Sequence, residues 1–382
     1  MILGNARLVL ADGTNPPGWL RTRDGVIDAY GPGDPPSAID LDLESCLVAA
    51  GFVDIHVHGA AGHSFDEATG QAVDAIVRHH RAHGTTTLLA SLVSAPLTDL
   101  EDRVRALVPR VEDGTLAGLH LEGPFLSAAR CGAHAPEHLR APTAEALDRL
   151  LAAGRGAIRM ITIAPELPGA LDAIARITRA GVIAAIGHTD ADYETTRAAL
   201  DAGASVATHL YNGMPPIHGR APGPVPALAY DPRATVELIA DGFHLHPATL
   251  AHAANSAAGR FALVSDAIAA TGVGDGDYRL GGRRVRVERG QARLIDGDSL
   301  AGSTLTLDAA LRHAVESGVR LRDALQAVTA TPARAVGLVD NVGTLAVGRA
   351  ADLVALDDRL TVTAVLHRGE LVARAVHRVE VE

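Results

Sequence analysis

Residues 52–59 read FVDIHVHG, an apolar run with two histidines near its end. His56 and His58 are two positions apart, so in a β-strand both side chains leave the same face. One face can therefore offer two imidazoles to a single ion. A His-x-His pair also occurs without a metal, but the apolar strand before it and Gly59 after it favour a ligand pair. We predict that His56 and His58 bind a metal ion.

Further segments along the chain resemble this one in being apolar without strict alternation, as parallel strands buried on both faces are. These seven segments are TTTLLASLV (85–93), LAGLHLEG (116–123), IRMITIAPE (158–166), VIAAIGHT (182–189), ASVATHLY (204–211), TVELIADG (235–242) and FALVSDA (261–267).

Helical patterns separate these strands, for example at residues 68–84, 98–114 and 192–203. Eight strand–helix units over about 290 residues match a (β/α)8 barrel in number and size. We therefore predict an α/β protein with a TIM-like barrel. In such barrels the catalytic residues lie at the carboxyl ends of the strands.

Acidic and histidine side chains stand where several predicted strands end. Glu122, His188, His209 and Asp266 close the third, fifth, sixth and eighth strands. Either histidine alone would more often be structural, and Glu122 could instead pair with an arginine. Together they form the set of protein ligands that leaves a catalytic metal one open position. Asp266 is our candidate general base, with a fourth ligand or a helix cap as alternatives.

The chain contains no lysine, because all 34 of its basic residues are arginine. This excludes Schiff-base lysine chemistry and the lysine of a phosphate-binding P-loop. It also excludes a carboxylated lysine that bridges two ions. If two ions bind, Glu122 must bridge them.

The bulk composition restricts the partners and the compartment. A net charge of −11 argues against nucleic acid or an anionic membrane as a general partner. Two cysteines are too few for a disulfide framework. The N-terminal segment has no basic stretch before its short apolar run, and no apolar run reaches the ~18 residues of a membrane span. We expect a cytoplasmic protein without a signal peptide.

The two ends of the chain have a different sequence pattern. Short strand-like runs are separated by turn signals, among them Asp24-Gly25 and Arg368-Gly369. Neither end could bury a core alone. We predict one small β-sandwich domain from residues 1–48 and 343–382, beside a catalytic barrel of residues 49–342. The glycine-rich stretch 272–278 lacks the strand–helix context of a nucleotide loop, and we interpret it as the entry to a hairpin.

The motifs VDIHVHG, GLHLEGPFL, GAHAPEHL, GHT, THLYNGM, IHGRAPG, VSDA and LAGSTLTL together resemble the N-acetylglucosamine-6-phosphate deacetylases of the amidohydrolase superfamily. The resemblance spans nearly the whole chain. It implies a metal-dependent hydrolase that releases acetate and glucosamine 6-phosphate, with one or two divalent ions, most simply zinc. It also implies a homodimer.

The same resemblance assigns roles to individual residues. Glu122, His188 and His209 match metal ligands, and Asp266 matches the catalytic aspartate. Ala133 and His134 match substrate-binding residues, and His134 is the one that contacts the sugar or polarises the acetyl carbonyl. The matching substrate residues are Asn212 and Gly213 in a phosphate loop, Arg220 for the phosphate, His244, which a neighbouring subunit could supply, and Leu300, Ala301 and Gly302 in a lining loop. Two departures are Cys131, where many relatives have lysine, and Ala135, where asparagine is common.

Two other functions remain open from the sequence. One is another amidohydrolase activity, such as hydrolysis of cyclic amides or deamination of aryl or adenine substrates, which the missing lysine and the GRAPG loop disfavour. The other is a catalytically inactive barrel that serves as a scaffold. Scaffolds of this kind typically lose ligands, whereas every expected position here is filled.

Overall fold

The computed structural model describes residues 1–297 and 299–374, and its central element is a parallel barrel of eight strands. Each strand begins within a segment predicted from the sequence, so the predicted barrel is confirmed. The strands are β1 (Phe52–Val57), β2 (Thr85–Val93), β3 (Gly118–Phe125), β4 (Ile158–Ile163), β5 (Ile183–Ile186), β6 (Val206–Ala207), β7 (Thr235–Ile239) and β8 (Phe261–Val264).

The barrel closes where the end of β8 meets β1. Asp266 N donates to His56 O and His58 N donates to Ala267 O, each at 2.9 Å. These bonds place the segment after β8 directly beside His56 of β1 and His58, the residue that follows β1. The closure therefore brings an acid to the His-x-His pair.

Helices return the chain from the carboxyl end of each strand to the start of the next. The helices of the described residues are α1 (Gly70–Ala82), α2 (Leu97–Glu112), α3 (Ala144–Gly154), α4 (Ala170–Arg179), α5 (Tyr193–Asp201), α6 (Pro224–Tyr230), α7 (Pro247–Ser256), α8 (Leu307–Glu316), α9 (Leu321–Ala327) and α10 (Ala330–Ala335). Short 3-10 turns lie at Phe65–Glu67, Ala128–Arg130 and Pro136–His138. No helix in the described ranges is long and apolar enough to cross a membrane.

Local sequence explains where several helices begin. Thr69, Thr143 and Asp192 each accept a hydrogen bond from a backbone N–H in the first turn of α1, α3 and α5. Such caps satisfy donors that have no partner inside the helix. The apolar faces of the helices then pack on the barrel strands, whose residues are almost all buried.

The two ends of the chain form one mixed sheet with its own apolar cluster. Its strands are Ile2–Leu8, Pro17–Arg23, Val26–Pro32, Leu41–Asp42, Leu47–Ala50, Leu353–Leu356, Val362–His367 and Glu370–Arg374. The strand Leu47–Ala50 joins the two halves, because it pairs with Ile2–Leu8 on one side and with Leu353–Leu356 on the other. The union of both termini is thus confirmed, while the exact domain limits stay a prediction and residues 375–382 lie outside the described part.

Both predicted turns of this sheet are confirmed. Asp24 and Gly25 have φ of 51° and 78°, and Arg368 and Gly369 have φ of 49° and 77°. Two successive residues with positive φ are the signature of the tight turn that joins twisted antiparallel strands.

A smaller antiparallel sheet follows β8 and lies at the rim of the barrel. Its strands are Gly276–Leu280, Arg283–Glu288 and Gln291–Leu294. The stretch 272–278 leads into the first of them, as predicted. Leu280 and Val285 pack against Val93 of β2 and Ile268 after β8, so this sheet forms one wall beside the carboxyl ends of the strands.

Candidate metal centre and substrate cleft

A cleft of about 350 Å³ opens at the carboxyl ends of the barrel strands. This is the end at which (β/α)8 enzymes hold their catalytic residues. The residues that line it come from several strands and from the loops after them. They are His58, Glu122, Ala129, Arg130, Gly132, Ala133, His134, His188, His209, Asn212, Gly213, Met214, His244, Asp266, Leu280, Ser299, Leu300 and Gly302.

Three of the predicted site residues stand two positions after the end of their strand in an unusual backbone conformation. His188, His209 and Asp266 have φ of 47°, 26° and 49°. Residues other than glycine pay for left-handed backbone with strain, and such residues cluster at functional sites. The conformation turns each side chain back over the mouth of the barrel.

One group of potential ligands contains His56 of β1, His58 directly after β1, and Asp266 after β8. The Nε2 atoms of His56 and His58 lie 3.2 Å apart. Asp266 Oδ1 is 3.2 Å from His58 Nε2 and 3.6 Å from His56 Nε2. His56, His58 and Asp266 are all buried and close enough together to hold one cation.

A second group forms on the other side of Glu122. Glu122 Oε1 lies 3.0 Å from His188 Nε2 and 3.0 Å from His209 Nε2, and the two histidine atoms are 3.1 Å apart. The other oxygen, Oε2, lies 3.2 Å from His58 Nε2. Each oxygen of Glu122 thus faces a different group, as a carboxylate that bridges two cations would.

The electrostatics of these side chains fit a divalent cation. Burial alone would lower the pKa of His58, but hydrogen bonds with Asp266 and Glu122 raise it to about 9. Burial alone would raise the pKa of Asp266, but the neighbouring His56 and His58 lower it to about 2. Burial acts likewise on Glu122, yet His56 and His134 hold its pKa well below the ordinary value. The carboxylates stay ionised and attract positive charge, and the imidazole and carboxylate donors suit a metal ion.

Hydrogen bonds at Nδ1 fix the direction of three imidazole rings. The Nδ1 of His56 is 3.0 Å from Glu237 Oε2, and the Nδ1 atoms of His58 and His188 face the backbone carbonyls of Ser91 and Arg130 at 3.2 and 2.8 Å. Carboxylates and carbonyls only accept, so each Nδ1 carries the proton. When the ring is neutral, as a metal ligand must be, each Nε2 would then face the centre with a free lone pair.

His134 has the opposite tautomer. Ser94 N donates to its Nδ1 at 3.3 Å, so the neutral ring carries its proton on Nε2, which lies 3.3 Å from Glu122 Oε2. Burial lowers the pKa of His134 to about 4. At neutral pH the ring is therefore a neutral donor that faces the cleft beside the two groups.

Most of the predicted substrate residues line the cleft, but two do not. Ala133, Asn212, Gly213, His244, Leu300 and Gly302 belong to its wall. Ala301 is buried beneath the wall, while Arg220 is exposed and borders a separate pocket with Asp190, Tyr193 and Pro215. Cys131 is half-buried and is not among the lining residues.

The sequence did not identify several residues that support or line the site. Glu237, Arg130 and Ser91 orient ligand rings, while Met214 and Leu280 add apolar wall. The sequence did contain a signal for Glu237, because it is the one charged residue among the five residues of β7. The structure shows that its side chain is fully buried. Arg130 acts through its carbonyl, which every residue type has, and so leaves no trace in the sequence.

A buried cluster of imidazoles and carboxylates at the mouth of a (β/α)8 barrel defines a metal-dependent hydrolase of the amidohydrolase type. Residues 47–372 match the model of the amidohydrolase family. The chain belongs to this family. Its members typically bind a divalent metal. Two sets of buried side chains lie close enough together to hold one, namely His56 with His58 and Asp266, and Glu122 with His134 and His188.

Several relatives of the chain are named as deacetylases of phosphorylated amino sugars. The N-acetylgalactosamine-6-phosphate deacetylase of Escherichia coli O157:H7 is 38% identical over 97% of this chain and 98% of its own length. The N-acetylglucosamine-6-phosphate deacetylase of Bos taurus is 36% identical over 87% of this chain and 84% of its own. A mutant N-acetyl-D-glucosamine-6-phosphate deacetylase from Mycobacterium smegmatis, solved with N-acetyl-D-glucosamine-6-phosphate, is 46% identical, with a TM-score of 0.95 over 98% of this chain and 99% of its own.

Proposed function

We propose that this enzyme removes the acetyl group from N-acetylglucosamine 6-phosphate, giving glucosamine 6-phosphate and acetate in amino-sugar metabolism. The observation that carries the proposal is the position of Glu122, with one oxygen at His188 and His209 and the other at His58. The similarity over nearly the full chain to deacetylases of this class supports the choice of substrate.

In this proposal His56, His58 and Asp266 would hold one cation, and Glu122, His188 and His209 would hold a second. Zinc is our choice of metal, since imidazole and carboxylate donors with an open position are typical of catalytic zinc. A bound cation supplies Lewis acidity that polarises the amide carbonyl and activates water. The lysine-free sequence leaves Glu122 as the bridging group.

Asp266 acts as the proton carrier of the reaction. Its carboxylate is ionised, because the neighbouring histidines outweigh burial and lower its pKa to about 2. It accepts a proton from the attacking water at a carboxylate oxygen and delivers it to the departing amine nitrogen. Transfer by a positioned group of this kind accelerates reactions by roughly 10²–10⁴-fold.

His134 stabilises the carbonyl oxygen of the acetamide. Its Nε2–H is a neutral donor, because Ser94 N occupies Nδ1 and burial lowers the pKa of the ring to about 4. A donor aimed at the oxygen gains strength as negative charge develops there in the transition state.

The sugar phosphate binds at the far side of the cleft, near Asn212, Gly213 and His244. The hydrogen bond from His244 Nδ1 to Asp241 Oδ2, at 2.7 Å, helps to raise the pKa of His244, although burial opposes this. A more highly charged imidazole attracts phosphate on a protein of net charge −11. Gly213 packs directly on His188, because a Cβ there would lie 2.9 Å from His188 Nδ1.

Arg220 completes the phosphate site from a second copy of the chain. It is exposed and does not border the cleft of its own chain. Three large apolar side chains, Ile217, Tyr230 and Phe243, are also 50%, 63% and 46% exposed. A homodimer that covers them would bring Arg220 to the neighbouring cleft, where its guanidinium can hold a phosphate by paired hydrogen bonds.

Mixed dimers test this arrangement. Arg220→Ala and Asp266→Asn each impair the homodimer, but a mixed dimer contains one cleft with an intact Asp266 and an intact Arg220. We expect the mixture to recover activity on the phosphorylated sugar. A mixture no more active than its components would exclude the shared site.

Acetate release from N-acetylglucosamine 6-phosphate by the zinc-loaded enzyme tests the function itself. N-acetylgalactosamine 6-phosphate is the second candidate, because the relative from E. coli O157:H7 that is named for it matches 97% of this chain. The ratio of kcat/KM on the two sugars decides between them, and activity on neither would refute the proposal. Both are charged metabolites that do not cross membranes freely, which favours a cytoplasmic location.

A further inference from the structure

A buried carboxylate lies beneath the two groups of ligands and is not part of the cleft wall. Glu237 is on β7 and has no exposed surface. Its Oε2 accepts hydrogen bonds from His56 Nδ1 at 3.0 Å and from the backbone N–H of His209 at 3.1 Å. Its other oxygen has no hydrogen-bond partner among the described residues. One carboxylate oxygen therefore contacts both groups, because His56 and His209 lie on opposite sides of Glu122.

The bond to His56 fixes the tautomer of a proposed ligand. His58 and His188 have backbone carbonyls at Nδ1, but His56 has a carboxylate. A carboxylate at Nδ1 makes the imidazole a stronger donor at Nε2, and such partners of metal-bound histidines affect metal affinity. Among these three rings, His56 alone has a partner that a substitution can remove.

The bond to His209 supports a strained turn. His209 has a φ of 26°, and the strand β6 that precedes it has only two residues. A charge-assisted hydrogen bond to its N–H is stronger than a neutral one. Glu237 thus stabilises the backbone conformation that directs His209 Nε2 towards Glu122 Oε1, 3.0 Å away.

We propose that Glu237 is a positioning residue that sets the affinity of both cation positions together, by orienting His56 and by holding the turn at His209. The inference depends on the metal centre of the proposed function but not on the identity of the substrate. It predicts that loss of the carboxylate weakens both cations, although Glu237 contacts neither.

The test is a titration of Co²⁺ into the metal-free protein against a competing chromophoric chelator. We expect Glu237→Gln, which keeps the size of the side chain, to bind both equivalents about 10–100-fold more weakly than wild type. Asp231→Asn is the matched control, since Asp231 is also a buried carboxylate but pairs with Arg197 and Arg233 away from the cleft. It should bind Co²⁺ like wild type. Unchanged affinity in Glu237→Gln, or a loss at one equivalent only, would overturn the proposal.

A second measurement needs no variant. In the zinc-loaded wild type labelled with ¹⁵N-histidine, His56 should have a protonated Nδ1 and an unprotonated Nε2, with the Nδ1 proton shifted to low field. The opposite tautomer would refute the role of Glu237 even if Glu237→Gln does not fold. Tight Co²⁺ binding without acetate release would instead contradict the proposed function and leave this inference standing.

Discussion

The Nε2 of His209 lies 3.0 Å from Oε1 of Glu122, although the two residues are 87 positions apart in the chain. The contact is made at the barrel mouth. Glu122 lies near the carboxyl end of β3, and His209 lies two residues after the end of β6. Around it the structure gathers the two groups of side chains that we propose as metal ligands, with Glu122 between them.

Glu122→Gln should abolish tight binding of both cations. The amide has one acceptor oxygen and no charge, so it cannot bridge, and the histidines of the two groups lose their shared counter-charge. We expect less than one tightly bound cation per chain by elemental analysis after gel filtration, and no gain in melting temperature when zinc is added. The melting temperature of wild type should rise when zinc is added, because ligands that bind only the folded state stabilise it. Two cations retained in the variant would contradict the bridging role.

Asp266→Asn should remove the proton carrier together with one ligand of the first cation. The amide cannot accept the proton from water, so kcat should fall by roughly 10²–10⁴-fold. The cation of His188 and His209 should remain, because Asp266 does not belong to that group. Steady-state kinetics combined with metal analysis check this expectation. A variant with near-normal kcat would remove Asp266 from the reaction.

His134→Ala should lower kcat while the metal content stays normal. The variant removes the Nε2–H donor that we place at the acetyl oxygen, and loss of one such donor typically costs about 10²–10³-fold in kcat. His138→Ala, four residues away on a short 3-10 turn, is the control and should behave like wild type. If both variants lose activity equally, the loop conformation and not the donor is responsible.

Arg220→Ala should discriminate between phosphorylated and unphosphorylated sugars. Loss of charged hydrogen bonds to the phosphate should lower kcat/KM for N-acetylglucosamine 6-phosphate by roughly 10–100-fold, mainly through KM. Activity on N-acetylglucosamine should change little. The comparison requires only initial rates on the two sugars, and equal losses on both would argue against phosphate binding.

Asp308→Asn should reduce stability in a pH-dependent way. Burial alone would raise the pKa of Asp308, but hydrogen bonds with His83 and Thr306 and the charge of Arg312 lower it to about 2. Relative to the ordinary value of 3.8, this contributes roughly 2 kcal/mol to the free energy of unfolding at neutral pH. Because the folded pKa is the lower one, the contribution is complete above about pH 4 and is lost as the pH falls towards 2.

Chemical denaturation of wild type and Asp308→Asn at several pH values checks this prediction. The difference in unfolding free energy should be largest near neutral pH and should shrink below about pH 4. Asp323→Asn serves as a comparison, because its partner Arg320 is 80% exposed and surface pairs contribute only ~0–1 kcal/mol. A difference that grows on acidification would have the wrong sign.

The sequence could predict which side chains meet at the rim, because each lies within an apolar strand or shortly after one. His56 and His58 share a face through the two-residue period of a strand, and Glu122 sits within the buried run of β3. The carboxyl ends of parallel barrel strands meet at one rim, so residues distant in the chain were expected to converge. Asp24-Gly25 and Arg368-Gly369 were predictable for a similar reason, since the tight turn between strands is a local preference.

Other parts of the site were beyond sequence reasoning. The left-handed backbone of His188, His209 and Asp266 is imposed by the surrounding structure, because residues of these types rarely adopt it without support. Arg220 matched the phosphate position in sequence, yet it does not line the cleft of its own chain and borders a separate pocket. Whether a side chain reaches a cleft depends on the path of the loop, and loop paths are decided by packing.

The sequence by itself determined the eight-stranded barrel, the association of the two termini in one β-domain, and the identity of the imidazoles and acids at the rim. These follow from periodicity and short-range preferences, which a chain expresses locally. Only the tertiary structure decided that Glu122 faces two groups and that Glu237 links them from below. Those relationships depend on ångström-scale distances between strands that are far apart in the chain, and such distances are fixed only when the whole barrel has closed.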